Sequence, residues 1–294
     1  MEDRDWLILQ ALYEQKNITK TAQALFISQP ALTARLRNIE EEFGIKIVYR
    51  TSKGVHFTPQ GEYLAKSSTD ILFNLRRIKE HVTDMNSSVA GTLRLGASSY
   101  FTMYMLPRLL QCFKQEHPHV EFKVTTSWSR EVFNLVHNQD IHVGFVSSDY
   151  GWQSQRHLLF EEPVCIASAS PLDIRNLPKL PRINYQTDSL IKAMIDKWWR
   201  ENFAESPSIS MEVDKLSTCK EMVASGLGYA IMPSLIVSNI EHLHKIILTD
   251  KEGKPILRRT WMLYHEELLE MNIVSAFVHF VKNIDFLNLI LPCK

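Results

Sequence analysis

Hydrophobic positions in the first sixty residues recur at helical spacing and break at short polar turns. Residues 1–15, MEDRDWLILQALYEQ, predict an acidic amphipathic helix. Thr19 is placed to cap a second helix, on which Ala22, Leu25 and Phe26 form one apolar stripe. The turn Phe26-Ile27-Ser28 leads to a third helix from Gln29 to about Phe43, with Ser28 as its cap and Pro30 in its first turn, where no backbone donor is needed. Leu32, Leu36 and Ile39 face inward, which leaves Gln29, Thr33, Arg35 and Arg37 on other faces. Two short helices with polar groups projecting from the second have the layout of a helix-turn-helix. An amphipathic helical hairpin within an ordinary core has the same spacing.

The following residues separate these readings. Ile45 to Val48 and Val55 to Thr58 alternate as strands around the polar turn Arg50-Thr51-Ser52-Lys53-Gly54, which predicts a hairpin wing. Arg50 and Lys53 on such a wing would meet a phosphate backbone. Thr58 then caps a long helix with Pro59 in its first turn. Leu64, Ser68, Ile71, Leu75, Ile78, Val82 and Met85 follow at alternating spacings of four and three, a heptad seam through which two copies would pair. Asn86-Ser87-Ser88 and Gly91 break that helix.

Beyond Gly91 strands and helices alternate: strand Leu93 to Ala97, helix Pro107 to Glu116, strand Val120 to Thr125, helix Arg130 to His137, strand Ile141 to Val146. Strands near Val164 to Ser168, Ile183 to Gln186, Ile209 to Val213 and Tyr229 to Met232 and helices near Ser189 to Phe203 and Ser217 to Ser225 form a second set. The fold class is α/β with parallel pairing in two lobes.

Composition narrows the class without deciding function. With 294 residues, 45% hydrophobic and 22% charged, the chain is long enough for several cores and has the make-up of a soluble protein. No apolar run spans a bilayer and the start lacks a targeting signal, so a cytoplasmic location without membrane contact is expected. Net charge is zero, and the basic residues up to Thr58 barely outnumber the acidic ones. Placement argues instead: the acidic run Glu40 to Glu42 ends the third helix, while Arg35, Arg37, Arg50 and Lys53 lie at its middle and on the wing. Cys112, Cys165, Cys219 and Cys293 have no paired spacing, as expected for reduced thiols. A Cys165 with Cys219 redox pair is the one alternative.

The stretch ISQPALTARLRNIEEEFGIKI followed by YRTSKGVHFTPQGEYL resembles the amino-terminal domain of the LysR-type transcriptional regulators. GTLRLGASSYFTMYMLPRLLQCFKQEHPHVEF and VASGLGYAIMPS are similar to that family's effector domain. The resemblance implies a winged helix-turn-helix at 1–58, a dimerising linker helix at 59–88 and a periplasmic-binding-protein-like effector domain at 89–294. Lobe I would comprise about 91–162 and 267–294, lobe II about 163–266, with a last helix from about Glu267 to Phe286 returning to lobe I. It implies that Gln29, Pro30 and Thr33 face the major groove. Many relatives carry an arginine where this chain has Ala34, with Arg35 next door. Expected partners are double-stranded promoter DNA, a small organic-acid co-inducer, further copies of the chain as dimer or tetramer, and RNA polymerase.

In such a fold, ligands bind where parallel strands end and helices begin. Ser98, Ser99, Tyr100 and Thr102 follow the first strand, Ser127 and Ser129 precede the second helix, and Gln186 and Thr187 open the second lobe, with Thr218 near a later helix start. Each hydroxyl alone could simply cap a helix; together they mark a candidate effector cleft. His117 and His119 flank Pro118, and His242 with His244 forms another HxH near Glu241, so transition-metal binding stands as a minor alternative; no metal or cofactor is assigned. No phosphate loop, HExxH or GxSxG supports an enzyme. The competing class is a small-molecule binding protein or enzyme domain whose hairpin makes protein contacts.

Overall fold

Asp5 turns its carboxylate back to the Glu2 N–H (2.9 Å) and so opens helix α1, Asp3–Gln15. The computed structural model describes residues 1–51, 54–84 and 89–286, with Arg50, Thr51, Arg77, Glu80, His81, Thr83 and Asp84 as backbone only. Lys53, Met85, the Asn86-Ser87-Ser88 break and Cys293 therefore lie outside the described residues. The chain divides into two compact units, Met1–Met85 and Asn86–Lys294.

In the first unit, α2 spans Ile18–Ala24 and α3 spans Gln29–Phe43. The cap of α2 is Asn17 rather than Thr19: Asn17 has extended backbone and accepts the Lys20 N–H at 3.0 Å, while Thr19 lies inside the helix. Ser28 caps α3 through the Ala31 N–H (3.3 Å), and α3 ends on Gly44 in the left-handed region at φ 63°. Leu32, Leu36 and Ile39 bury against Ile8, Leu9 and Leu12 of α1. Strand β1 is Val48–Thr51, three residues later than the pattern predicts, and pairs antiparallel with β2, Gly54–Phe57. Ile47 is fully buried and its N–H goes to the Glu40 carboxylate (2.9 Å), so this stretch leaves α3 as a connection and not as a strand.

Helix α4 runs Pro59–Asp84 and its seam divides. Leu64 and Ser68 are buried, Leu64 within the core of its own unit, because α1 packs against α4. Leu64 is thus no dimer contact. Ile71 and Leu75 are half-buried, and Ile78 and Val82 stand 60% and 61% exposed, which is where apolar surface remains.

The second unit begins with β3 (Gly91–Ser98), α5 (Ser99–Tyr104), α6 (Leu106–Glu116), β4 (Val120–Ser127), α7 (Ser129–His137) and β5 (Val143–Val146), in which β3 pairs parallel with both β4 and β5. The chain then crosses on β6 (Gln155–Ser168) and builds β7 (Arg182–Tyr185), α8 (Ser189–Asn202), β8 (Ile209–Val213), α9 (Leu216–Ala224), β9 (Ala230–Pro233) and β10 (His244–Ile247). It returns on β11 (Leu257–Tyr264) and closes with α10 (Asn272–Lys282). The sheet order is β10-β6-β11-β5-β3-β4, with β9 also on β6 and β7-β8 a separate parallel pair. The sheet is therefore mixed: β11 runs antiparallel to β5 and β6.

Strand β6 joins the lobes, its first half against β11 and its last five residues against β9 and β10. There Val164 and Ile166 face the cluster of Trp198, Trp199 and Ile195, while Cys165 and Ala167 face the opposite one, the period-two alternation of a strand buried on both sides. The expected final helix is split, since Met271 is extended between a short turn at Glu266–Glu270 and α10. Ile273, Val274 and Phe277 of α10 bury against lobe I with Phe113 and Phe145.

Candidate functional sites

The amino end of α3 is presented to solvent. Ser28, Gln29, Pro30 and Arg37 are exposed and Thr33 half-exposed. Thr19 donates to the Gln29 carboxamide oxygen at 3.3 Å, which orients that amide across the turn between α2 and α3. At the turn, Phe26 sits in the left-handed region (φ 54°) with its side chain 96% exposed. A bulky residue there is strained and gains nothing from burial.

Arg35 departs from its expected place on the DNA face. It bonds the Glu2 carboxylate and lies 3.5 Å from Asp5, tying α3 to the start of α1. Two carboxylates compete there with any phosphate, so the Arg35 guanidinium is a brace within the unit. Arg50 has no described side chain and Lys53 lies outside the described residues, so the wing contributes only its backbone hairpin.

The second unit holds a cavity of about 680 Å³ where β3, β4 and β7 end. Ser98, Ser99, Tyr100, Thr102, Ser127, Ser129, Gln186 and Thr187 all line it, drawn from both lobes. Thr218 does not; Ser217, one residue earlier, takes that place because α9 turns the next side chain away.

Hydrogen bonding sorts these groups. Ser98 caps α5 through the Phe101 N–H (3.4 Å). Ser129 is fully buried, its hydroxyl bonded to that of Ser147 (2.8 Å) and its N–H to Asp188 (3.3 Å). Asp188, from lobe II, also accepts from the Ser147 hydroxyl (3.3 Å) and from Tyr150 (2.5 Å), so its carboxylate occupies the amino end of α7 and joins the lobes. Burial and this carboxylate together make the Tyr150 hydroxyl less acidic than usual. Ser127 bonds Glu131, whereas Ser99 and Gln186 are exposed within the cavity.

The floor of the cleft carries a charge pair that spacing along the chain does not reveal. Arg258 and Glu162 are register partners on β11 and β6, and their side chains are 4% and 0% exposed with Nη1 to Oε1 at 2.5 Å. Glu162 also accepts from Tyr100 (3.0 Å) and the Leu235 N–H (3.3 Å), and the Arg258 guanidinium stacks 4.2 Å over the Tyr100 ring. Arg258 lines the cavity, yet its Nε–H is buried without a hydrogen-bond partner. The Tyr185 hydroxyl is likewise buried, and burial makes it less acidic than usual, opposed in part by the Arg258 charge and by Thr187.

A family model described as "LysR substrate binding domain" matches residues 86–284, and one described as "Bacterial regulatory helix-turn-helix protein, lysR family" matches residues 4–62. The chain belongs to the LysR family of transcriptional regulators. This LysR-type regulator is 40% identical over 282 residues to the uncharacterized HTH-type transcriptional regulator YraN of Bacillus subtilis, covering 96% of the chain and 98% of that relative. It is 32% identical to YkuM of the same organism, covering 96% and 97%. Full-length CbnR in complex with its target DNA has the same fold, at a TM-score of 0.66 and 18% identity, covering 96% of this chain and 99% of that one. Both relatives are named as HTH-type transcriptional regulators.

Among the described residues no three histidine, cysteine or acidic side chains meet in a metal-binding group, and no helix is long and apolar enough to cross a membrane. Burial pushes the thiols of Cys165 and Cys219 up to about 12, leaving about one thiolate in ten thousand at pH 8. A thiol reagent at pH 8 is expected to label neither cysteine until the protein is denatured, as mapped by mass spectrometry; rapid native labelling of either would restore the redox reading. Because both folded pKa values lie above the unfolded one, the associated stability is complete below about pH 8.5 and declines as pH rises toward 12.

Proposed function

We propose that this LysR-type regulator reads promoter DNA with the amino end of α3 and is controlled by a small organic acid bound between its lobes. The Arg258 guanidinium, which lines the floor of the cleft and keeps one donor unpartnered, carries the effector reading. A carboxylate against the cavity side of the Arg258 guanidinium would gain a charge-assisted bond in a shielded site. Ser99, Thr102, Gln186 and Thr187 supply hydroxyl and amide groups above it. The α7 amino end is already taken by Asp188, which leaves Arg258 as the anion's anchor.

On the DNA side, Gln29, Pro30 and Thr33 supply the base contacts, with Ser28, Arg37, Arg50 and Lys53 on phosphate. A second copy would pair along Ile71, Leu75, Ile78 and Val82 of α4, giving the two-fold reader that a symmetric operator requires. The protein works in the cytoplasm with the DNA. Effector binding acts through its differential affinity for two lobe arrangements, with the Asp188 bonds as the contacts to be remade.

The test has two arms. Gln29→Ala and Thr33→Ala should each weaken operator binding by about 1 to 3 kcal/mol while leaving binding to random DNA nearly unchanged. Equal operator affinity in both variants would remove them from the reading face. In a thermal-shift screen of cytoplasmic carboxylates, at least one should raise the melting temperature, and the double variant Glu162→Gln/Arg258→Met, which neutralises the floor, should abolish that response. A carboxylate that still stabilises the double variant binds elsewhere.

A further inference from the structure

Lobe II carries a second cavity of about 560 Å³, bounded by α8 on one side and by β7 and β8 on the other. It shares Trp128, Tyr185, Gln186, Thr187 and Asp214 with the main cleft but has its own floor. That floor is Arg182, the first residue of β7, which is only 8% exposed. Its guanidinium lies 5.3 Å from the Trp199 ring, and among the described residues no carboxylate pairs with it. Its Nε–H is sealed from solvent with no acceptor. Burial of the charge without an acid partner lowers the pKa of Arg182, opposed only by more distant groups such as Tyr229 and Asp196.

A guanidinium is expensive to bury when its donors are unmet, and a ring face replaces only part of its hydration. Arg258 shows the contrast within the same domain, since it has Glu162 as a bonded counter-charge. Arg182 opens into a cavity instead. An anionic group entering the cavity would meet a largely dehydrated guanidinium charge packed over Trp199.

The rim refines the ligand. Lys192 and Asp196 on α8 and Glu212 and Asp214 at β8 are all exposed, so the walls bring two basic and three acidic groups counting Arg182. A simple dianion would meet net negative charge on entering. Asn184 lies two residues along β7 from Arg182 on the same face and is the register partner of Glu212, which puts an acceptor roughly 8 Å from the Arg182 backbone. One negative and one positive group held a few ångströms apart fit this arrangement.

We propose that the Arg182 cavity is a second small-molecule site, taking an amino-acid zwitterion with its carboxylate on Arg182 and its ammonium toward Glu212 and Asp196. It is independent of the organic-acid site over Arg258, and either can fail alone. A regulator with both would respond jointly to an acid and an amino acid through adjoining cavities that share a wall.

The test titrates the full-length protein with each of the twenty L-amino acids, with its amide and with its deaminated acid, following tryptophan fluorescence and melting temperature. At least one amino acid should bind saturably, with its amide and its deaminated acid at least tenfold weaker. Arg182→Met should abolish the response and raise the melting temperature of the unliganded protein, because an unpaired buried charge is replaced by an apolar chain of similar length. Glu212→Gln, at an exposed position, should weaken the amino acid about tenfold and leave the deaminated acid unaffected. The Glu162→Gln/Arg258→Met variant should bind the amino acid as the parent does. The proposal is overturned if no amino acid binds, if Arg182→Met binds normally or melts lower, or if the deaminated acid binds as tightly as its parent.

Discussion

Glu162→Gln is expected to destabilise the effector domain by about 3 to 5 kcal/mol, the range for removing one partner of a buried ion pair. The side chain is fully buried, one oxygen on Arg258 and the other accepting from Tyr100 and the Leu235 N–H. Glutamine keeps the volume but not the charge, so Arg258 loses its counter-ion. Its amide can also present only one acceptor oxygen to three donors. For a domain of this size the midpoint should fall by roughly 10 °C, measured by calorimetry on the full chain. Adding Arg258→Met should recover much of the loss, because a neutral pair of similar volume leaves no buried charge. If the double variant melts no higher than the single one, the hydrogen bonds to Tyr100 and Leu235 and not the charge pair dominate the floor.

Gly61→Ala should disable the DNA-binding unit without touching the effector domain. A Cβ at Gly61 would stand 2.1 Å from the Ile47 carbonyl oxygen and 2.9 Å from its Cα. These are backbone atoms held on both sides: the Ile47 oxygen accepts the Thr58 N–H (2.9 Å), and the Ile47 N–H is bonded to Glu40. Neither can move without lifting α4 off the wing. The cost should exceed the usual 1 to 3 kcal/mol of overpacking, about 3 kcal/mol or more, because no flexible side chain can yield. Operator binding should be lost by gel shift while the melting transition of the larger unit is retained. Full operator affinity in the variant would mean that α4 can shift at no cost.

Elements whose signals lie within a few residues were legible in the chain. The α3 boundaries follow from Ser28 as cap, Pro30 in the first turn and the inward spacing of Leu32, Leu36 and Ile39, and the structure shows Gln29–Phe43. The long helix after Thr58 and the strands at β3, β4 and β8 follow likewise. Where two side chains compete for one local task, spacing misleads: Asn17 rather than Thr19 caps α2, since the cap must lie outside the helix. Ile45 to Val48 reads as a strand because Ile45 and Ile47 alternate with Lys46, yet only Val48 enters the ladder.

The crossing strands β6 and β11 carry weaker local signals. Local pattern marks Val164 to Ser168 but neither the first half of β6, where polar and charged residues alternate irregularly along Gln155–Glu162, nor β11. Their pairing is a long-range matter, with Arg258 and Glu162 opposite each other across 96 residues. The same distance hid the Arg35 brace to Glu2 and the grip of Asp188 on Ser129, Ser147 and Tyr150.

By itself the sequence determined the order of parts: a helical hairpin with a wing, a long amphipathic helix, and an α/β domain with hydroxyl-rich strand exits. It could do so because caps, turns and periodicity act between neighbours within a turn of helix or a strand. Only the tertiary structure decided which of those side chains are available. Ser98 and Ser129 are consumed by caps and inter-lobe bonds, Arg35 and Leu64 by their own unit, while Arg258 and Arg182 line cavities and each keep one unpartnered buried donor. Whether a polar group is satisfied depends on partners many residues away, and folding alone brings those partners within hydrogen-bond reach.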